Sequence, residues 1–365
     1  MGFNCGIVGL PNVGKSTLFN AITSAQIPAE NYPFCTIEPN MGVVAVPDLR
    51  IEEFVKIYKP EKIIHSTINF VDIAGLVKGA SSGEGLGNKF LSHIRDVNAI
   101  CHVVRCFDDE NIVHVDGNVN PKRDIEIIET ELIFKDLETL EKKILDIEKK
   151  SKSGDKKLKL EMDFYSELKS HLLSGRLAKY FERKNSEENF WIKESHLLTD
   201  KPVIYIANVN EKNLLSENQY INEVRELAKK EKAKVVVVCA KIESEIAILE
   251  GEEKKLFLNE LNISESGLDK VIREGYSILD LITFFTCGPK EVHAWTIKKG
   301  TLAPQAAGTI HSDFEKGFIR AEIMKADDII KLRNETLVKE KGLLRVEGSE
   351  YEIKDGDVVH FRFNV

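Results

Sequence analysis

The sequence predicts an α/β protein: a mostly parallel sheet with helices on both faces, an inserted helical hairpin, and a separate small α+β domain near the C-terminus. Short apolar runs alternate with helical patterns, as expected for a parallel sheet that is covered on both faces. A gap of about 95 residues between two of these runs is too long for a simple crossover helix. After residue 281 the pattern changes to strands separated by turns.

The strands of the predicted parallel sheet are rich in Val and Ile and are bounded by polar or glycine-containing segments. The five runs are Cys5–Val8, Ile68–Val71, Ala99–Cys106, Val203–Ala207 and Val235–Cys239. Most of them are separated by the helical patterns Ser16–Thr23, Lys89–Arg95 and Tyr220–Glu231. We therefore assign residues 1–125 and 200–280 to one sheet domain.

An inserted element occupies residues 126–199. Its first apolar series has spacings of four and three, which is a heptad seam, at Ile133, Leu137, Leu140, Ile144 and Ile147. A second series follows at Leu160, Phe164, Leu168 and Leu172. The segment between them, Lys149–Lys159, is rich in lysine around Gly154. We predict two antiparallel helices joined by a basic tip.

Residues 281–365 form a third predicted unit. Strand-like runs lie at Ile282–Phe285, Val292–Ile297, Phe318–Ile323 and Val358–Phe363. Turn signals lie at Gly288-Pro289, Lys299-Gly300 and Asp355-Gly356. This pattern predicts a small α+β domain of about 80 residues.

Composition favours a cytoplasmic protein. The six cysteines form no C-x-x-C pair and several lie in apolar runs, which indicates reduced thiols rather than a disulfide framework. We expect no secretory leader and no membrane association, since no apolar run is long enough to span a bilayer. The net charge of −8 means that any RNA contact requires a local basic patch. We expect no DNA specificity.

A phosphate-binding motif follows the first strand. Gly9–Ser16 fits G-x-x-x-x-G-K-[ST] between a predicted strand and a predicted helix, which is the context that this motif requires. Its backbone N–H groups and the helix N-terminus favour a polyphosphate. Lys15 is expected to reach the β and γ phosphates and to assist catalysis, and Ser16 to ligate Mg²⁺. The predicted nucleotide-binding residues here are Asn12, Val13, Gly14, Lys15, Ser16 and Thr17. A glycine-rich turn without a ligand is the alternative.

A second motif, Asp72-Ile73-Ala74-Gly75, follows the strand that ends at Val71. Asp72 is expected to hold the magnesium, directly or through water, and Gly75 to offer its N–H to the γ-phosphate. Thr36, between the two motifs, is positioned to supply a second hydroxyl to Mg²⁺. The alternatives are an ordinary strand-ending turn and an ordinary loop threonine.

The catalytic group is less evident, because Leu76 occupies the position where related GTPases carry a water-orienting glutamine. Three histidines are candidates. His102 lies in an apolar strand and is predicted to be a core residue, and His93 to be a surface residue. We favour His114, in the loop after Ala99–Phe107, as the group that a loop carries to the γ-phosphate. The alternative is an ordinary surface histidine.

The segment Asn208–Glu211, Asn-Val-Asn-Glu, stands where guanine-specific proteins carry N-K-x-D. Val209 lacks the lysine stem that stacks on the base, and Glu211 is one methylene longer than aspartate. Loss of such a polar contact costs roughly 1–3 kcal/mol, so strict GTP specificity is expected to be lost. Asn208 can offer both a donor and an acceptor to an adenine edge. ATP is the predicted nucleotide, and relaxed GTP binding is the alternative.

These motifs closely resemble those of the YchF/Obg-like ATPase family. The resemblance extends over almost the whole chain, through Gly9–Thr17, Phe34–Asn40, Asp72–Ala80, Gly83–Phe90, Asn208–Glu211 and Ala303–Glu322. It implies an OBG-type G domain, an inserted antiparallel coiled coil and a C-terminal TGS domain of β-grasp type. It also implies preference for ATP over GTP, a catalytic role for His114, and association with ribosomes in translation and oxidative-stress responses. Cys239-Ala240-Lys241 departs from the usual Ser-Ala-Lys.

The expected partners are ATP, GTP more weakly, and the ribosome. The tip carries Lys149, Lys150, Lys152, Lys156, Lys157 and Lys159, which can neutralise several phosphates of ribosomal RNA. In the C-terminal domain, His311, Lys316 and Arg320 flank Phe314. A solvated surface is the alternative for both regions. Oxidation of Cys35 beside Thr36 could alter the nucleotide loop.

The leading hypothesis is therefore a monomeric, Mg²⁺-dependent ATPase that acts as a switch on ribosomes. A second hypothesis is a GTP-dependent assembly factor. A third is a non-catalytic adaptor in which nucleotide only stabilises a scaffold, since Leu76 indicates slow chemistry.

Overall fold

A computed structural model describes residues 3–24, 40–73, 91, 93–114, 117–151 and 155–364. The strands are β1 (Asn4–Val8), β2 (Met41–Ala45), β3 (Lys62–Ile64), β4 (Thr67–Asp72), β5 (Ala99–Arg105), β6 (Val203–Asn208), β7 (Lys234–Val238), β8 (Leu281–Cys287), β9 (Glu291–Lys298), β10 (Phe318–Lys325), β11 (Arg345–Glu347) and β12 (Asp357–Phe363).

The α-helices with defined bounds are α1 (Lys15–Ser24), α2 (Leu49–Tyr58), α3 (Pro121–Ser151), α4 (Lys156–Leu173), α5 (Ser186–Glu194), α6 (Gln219–Glu231), α7 (Ala240–Ile246), α8 (Gly251–Glu260), α9 (Gly267–Ile278), α10 (Ala303–Ile310), α11 (Ser312–Lys316), α12 (Ala326–Leu332) and α13 (Glu335–Glu340). Residues 93–96 are also helical, and short 3₁₀ turns lie at Ala178–Tyr180, Leu198–Asp200 and Glu211–Asn213. Among the helices that the structure describes, none is long and apolar enough to cross a membrane.

The first sheet has six strands in the order β2-β4-β1-β5-β6-β7. All neighbouring pairs are parallel except β2 and β4, which confirms the predicted mostly parallel sheet. Every residue of β5 is buried, as expected for a central strand that is covered on both faces. Because parallel strands end at the same edge, the loop after β1, Asp72 at the end of β4 and Asn208 at the end of β6 meet there.

The inserted element is the predicted helical hairpin. Residues 152–155 alone connect α3 to α4, so the two helices pack side by side in opposite directions. Their buried seam consists of Ile133, Leu140, Ile147, Phe164, Leu168 and Leu172. The hairpin is more than two helices, because α5 adds Trp191 and Ile192 to the same core.

One residue of the predicted second stripe is placed differently: Leu160 is 60% exposed. Steps of four residues rotate a stripe by about 40° each around a helix of 3.6 residues per turn. Leu160 is therefore turned about 120° away from Leu172, and Met162 and Leu158 pack at this end of the hairpin instead.

The second sheet has the order β11-β10-β12-β8-β9-β3. Its last strand is supplied by the N-terminal part of the chain, since β3 pairs in parallel with β9. Helix α2 packs on the same unit through Phe54, whose ring centroid lies 5.0 Å from that of Phe285. The predicted range 1–125 for the first domain did not anticipate that residues 49–64 complete the C-terminal one.

Candidate functional site

The phosphate loop lies between β1 and α1 and has the backbone conformation that its motif predicts. Asn12 and Gly14 are left-handed, with φ of 62° and 93°. A Cβ on residue 14 would collide with the side-chain nitrogen of Asn208, so glycine is required for both conformation and space. Helix α1 begins at Lys15, which places the exposed residues Ser16 and Thr17 in its first turn. The first turn of a helix carries partial positive charge and free N–H groups.

The structure brings Lys15 and Asp72 together, although they are 57 residues apart. Lys15 Nζ lies 2.5 Å from Asp72 Oδ1, and Lys15 is only 9% exposed. Asp72 is held in place by its own N–H, which donates to the carbonyl of Asn40 at 2.8 Å. The predicted phosphate-binding ammonium and the predicted metal-binding carboxylate therefore share one point at the sheet edge. Asp72 and the exposed Ser16 would supply oxygen ligands, the type that Mg²⁺ prefers.

Several predicted residues lie outside the part of the chain that the structure describes. These are Thr36 and Cys35 in residues 25–39, Gly75 and Leu76 in residues 74–90, and Lys152 in the hairpin tip. Their roles remain predictions.

Asn208 connects the loops of the site. Its Nδ2 donates to the carbonyl of Val13 at 2.8 Å, and its Oδ1 accepts from the N–H of Ala240 at 3.0 Å. These two bonds use one amide proton and one lone pair of the oxygen, so one of each remains, and the contact of Asn208 with a base stays a prediction. The buried amide fixes the phosphate loop against α7.

A cleft of about 1030 Å³ opens beside the phosphate loop. Its lining includes the predicted residues Asn12, Gly14, Thr17, Asn208, Val209 and Glu211. Val209 is buried in the hydrophobic core, whereas Glu211 is exposed. The volume lies at the upper limit of the range of clefts that bind small molecules and cofactors.

Sequence reasoning missed the apolar walls of this cleft. They are formed by Phe107, Ile112, Leu214, Leu215 and Leu261, from the loops after β5, β6 and α8. The exposure of Leu215 is the kind of signal that could have indicated a binding surface. Cys239, Ala240 and Lys241 close the inner end, and burial raises the pKa of the Cys239 thiol, so this cysteine is held as a thiol rather than as a reactive thiolate.

Arg105, the last residue of β5, is a second residue that the sequence analysis did not single out. Its guanidinium is buried and donates to the carbonyls of Phe107, Asp109 and Ile112 at 3.1, 3.3 and 2.9 Å. It also lies 4.7 Å from the ring centroid of Phe107. Arg105 therefore shapes the loop that forms one wall of the cleft. The sequence signal that could have identified Arg105 is its charge at the end of a mostly apolar strand.

The three candidate histidines are placed in three different ways. His102 is buried in β5 against Tyr205, so its predicted core role is confirmed, and His93 is exposed as predicted. His114 is 6% exposed, which excludes the alternative of an ordinary surface histidine. Its Nε2 lies 2.9 Å from Asp124 Oδ2, in the first turn of α3. The loop itself reaches the phosphate site, because Asn12 Nδ2 donates to the carbonyl of Val113 at 3.1 Å.

The two predicted partner surfaces both present exposed basic side chains. The described tip lysines are exposed: Lys149, Lys150, Lys156, Lys157 and Lys159. In the C-terminal domain, Phe314 stacks on Phe363 with ring centroids 3.7 Å apart. Arg320 there shares Glu322 with Arg362, at 3.6 and 2.9 Å. Two tip lysines also have acidic neighbours, Lys149 at 3.4 Å from Asp146 and Lys157 at 3.6 Å from Glu187, so the charge of both surfaces is partly neutralised.

Two family models match the chain. One, described as "50S ribosome-binding GTPase", matches residues 4–150. The other, the YchF-GTPase C-terminal model with the description "Protein of unknown function (DUF933)", matches residues 281–364.

Relatives and a solved structure match over their full length. Proteins named "Ribosome-binding ATPase YchF" from Bacillus subtilis and Haemophilus influenzae are 54% and 55% identical, with 100% of both chains covered in each case. The solved "Structure of the Schizosaccharomyces pombe YchF GTPase" is 40% identical, with 99% of this chain and 98% of that chain covered and a TM-score of 0.89. With the phosphate loop, the inserted hairpin and the C-terminal sheet all matched, the chain belongs to the YchF family.

Proposed function

We propose that this protein is a magnesium-dependent ATPase that associates with the ribosome and acts there as a nucleotide-dependent switch, as a monomer in the cytoplasm. The observation that carries the proposal is the distance of 2.5 Å between Lys15 Nζ and Asp72 Oδ1. This pair lies beside a phosphate loop in which Asn12 and Gly14 have left-handed backbone conformations, and next to a cleft large enough for a nucleoside. Bacterial relatives at 54–55% identity carry the name "Ribosome-binding ATPase", which supports the same reading.

Each residue of the site has a distinct role in this proposal. The backbone N–H groups of Val13–Ser16 bind the phosphates, and Lys15 leaves Asp72 to contact the β and γ oxygens. Ser16 and Asp72 would hold Mg²⁺, together with the predicted ligand Thr36. When bound, the metal neutralises charge on the phosphates and favours transfer of the terminal phosphoryl group to water. His114 is the proposed group that positions this water.

The proposed preference for ATP depends on Val209 and Glu211. Val209 is buried and therefore offers no stacking stem above a base, and Glu211 is exposed at the mouth of the cleft. This arrangement lacks the short aspartate that pairs with guanine. The names of the relatives differ on the base, since the bacterial proteins are called ATPases and the Schizosaccharomyces pombe protein a GTPase. A GTP-dependent assembly factor is therefore the second candidate function.

Calorimetry with ADP, a non-hydrolysable ATP analogue and GDP in magnesium buffer tests the base preference. We expect the adenine nucleotides to bind at least about tenfold more tightly than GDP, which corresponds to about 1.4 kcal/mol. Glu211→Asp should narrow this ratio, whereas Glu217→Asp, an exposed acid a few residues farther along, should leave it unchanged. Tighter binding of GDP would favour the second candidate, and no binding of any nucleotide would contradict the whole proposal.

Sedimentation with purified ribosomes tests the partner. Replacing Lys150, Lys156 and Lys157 with Glu should weaken co-pelleting and reduce its dependence on salt, because three phosphate contacts are lost. The matched control replaces Lys229, Lys230 and Lys232 with Glu, which makes the same charge change on exposed residues at the end of α6. Equal co-pelleting of both variants would remove the tip from the proposal. Phosphate release with and without ribosomes distinguishes the ATPase from a non-catalytic adaptor.

A further inference from the structure

We propose that Asp124 is a positioning residue that holds His114 away from the phosphates, and that helix α3 transmits this hold to the hairpin tip. The inference rests on the proposed function, in which His114 positions the attacking water. Beyond that function, Asp124 and helix α3 control when His114 can reach the phosphate site.

The contact between the two residues is buried and close. His114 Nε2 lies 2.9 Å from Asp124 Oδ2, and each side chain is 3% exposed. The other carboxylate oxygen lies 3.2 Å from Arg123 Nη2. The same guanidinium binds the loop, because Nη2 donates to the carbonyl of Asn118 and Nη1 donates to its Oδ1. A charge-assisted hydrogen bond at this depth is among the stronger contacts that a histidine can make. The ring is therefore held against α3.

His114 nevertheless lies in a loop that contacts the phosphate loop. Asn12 of the phosphate loop binds the carbonyl of Val113, the residue immediately before His114. Asn12 and Ile112 line the cleft, whereas the His114 side chain is 3% exposed and lies against Asp124. Because the backbone is already next to the phosphate loop, release of the side chain from Asp124 would be enough to make the ring available to the site.

Helix α3 connects this contact to the tip. It is continuous for 31 residues, from Pro121 to Ser151, which corresponds to about 45 Å. Asp124 lies in its first turn, Ile128 and Leu132 pack in the core of the first sheet, and Ile133 to Ile147 form the hairpin seam. A partner that binds the basic tip and tilts the hairpin would therefore displace the first turn. The hold of Asp124 on His114 makes ATP hydrolysis slow until such a partner arrives.

The experiment measures steady-state ATP hydrolysis by the full chain carrying Asp124→Asn or Asp124→Ala. We expect kcat to rise by about tenfold with KM nearly unchanged, since loss of one hydrogen bond of this kind changes an equilibrium by about that factor. The factor by which ribosomes stimulate hydrolysis should decrease correspondingly, because the His114 side chain is already released in these variants. The matched control is Glu126→Gln, an exposed acid in the same helix that lies 3.8 Å from Lys122. Its rate should equal that of the unmodified protein.

The double variant Asp124→Asn with His114→Ala separates release of the histidine from a general loosening of the fold. We expect this double variant to lose the whole increase in kcat. Thermal melting, monitored by circular dichroism, tests whether both variants are folded. Rates at or below that of the unmodified protein in both Asp124 variants, with His114→Ala impaired, would overturn the hold and leave the proposed function standing. An unaltered rate in His114→Ala would overturn both the hold and the catalytic assignment, and no phosphate release under any condition would overturn ATP hydrolysis itself.

Discussion

Gly14 shows how one residue determines the geometry of the phosphate loop. Its φ of 93° is disfavoured for residues with a Cβ, and a Cβ there would collide with the amide that Asn208 uses to bind Val13. Gly14→Ala should therefore reduce nucleotide affinity by at least about a hundredfold and lower the free energy of unfolding by about 1–3 kcal/mol.

Calorimetry and urea unfolding measure the two effects. The control is Gly175→Ala, because Gly175 has a similar φ of 78° but no atom within 4 Å of the added Cβ. This control should lose some stability and retain nucleotide binding. Equal affinity of the two variants would show that the collision with Asn208 is unimportant.

Arg105 has a comparable effect on the wall of the cleft. Its three hydrogen bonds to carbonyls and its contact with Phe107 hold the loop between β5 and His114. Arg105→Met should lower the free energy of unfolding by about 1–3 kcal/mol, since three loop carbonyls lose a charged donor. The KM for ATP should also rise, because Phe107 and Ile112 line the cleft.

Urea unfolding and steady-state kinetics test this prediction, with Arg225→Met as the control. Arg225 is exposed and pairs with Glu217 on the surface, so its loss should change stability by less than about 1 kcal/mol. If Arg105→Met unfolds like the control, the arginine does not organise the loop.

At the scale of elements, helix α3 meets the first sheet beside a pair of half-buried acids, Glu129 and Glu231. Tyr205 Oη lies 3.2 Å from Glu129 Oε1 and 2.8 Å from Glu231 Oε2, and Lys179 lies 3.0 Å from Glu231. Burial, followed by the nearby Glu231 carboxylate, raises the pKa of Glu129 to about 8. In the same region, burial lowers the pKa of His102 to about 3.

These shifts predict a specific pH dependence of stability. Between its ordinary pKa of 4.5 and about 8, Glu129 binds more protons in the folded chain than in the unfolded chain, so the free energy of unfolding falls as pH rises. His102 acts in the opposite direction below its ordinary pKa of 6.5. From about pH 7 to 8 Glu129 therefore makes the main contribution, with a slope of at most about 1.4 kcal/mol per pH unit.

Chemical unfolding at several pH values within this window tests the prediction. Glu129→Gln should flatten the dependence, because the amide has no proton to lose, whereas Glu126→Gln on the exposed side of α3 should retain it. A slope unchanged by Glu129→Gln would assign the effect to other groups.

At the scale of the whole molecule, the two sheets are joined by a segment that both share. The chain leaves the first sheet after β2 and forms α2, which packs on the second sheet, and β3, which is a strand of that sheet. It then returns to the first sheet as β4, with Asp72 at its end. Arg50 in α2 strengthens the connection. It binds Asp48 at 2.7 Å and Asp355 at 2.7 Å, and it lies 5.0 Å from the ring centroid of Phe285. The segment that leads to the predicted metal ligand is therefore part of the C-terminal domain.

We predict that the two domains unfold in one cooperative transition and that Arg50→Ala weakens it. The loss should be about 1–3 kcal/mol, since a partly buried arginine with two carboxylate partners contributes more than a surface pair. Differential scanning calorimetry should show one peak in the unmodified protein. The control, Arg333→Ala, removes an exposed arginine 3.5 Å from Glu53 and should have little effect. Two separate peaks in the unmodified protein would contradict the coupling.

Much of this architecture could be predicted because its signals are local. The Gly9–Ser16 loop, the strand that precedes Asp72 and the heptad seam from Ile133 to Ile147 are each encoded by neighbouring residues. Turn conformation depends on glycine at given positions, and helix pairing depends on apolar periodicity, so both can be read from short segments. These signals were sufficient for the fold class and for the choice of Lys15 and Asp72 as residues of the phosphate site.

Only the tertiary structure decided which partners the polar side chains choose. Asn208 binds Val13, 195 residues away, and β3 pairs with β9 of the C-terminal domain. His114 lies against Asp124, with its side chain 3% exposed. Sequence spacing cannot specify such contacts, because a buried hydrogen bond depends on where distant segments meet once the core has closed and excluded water.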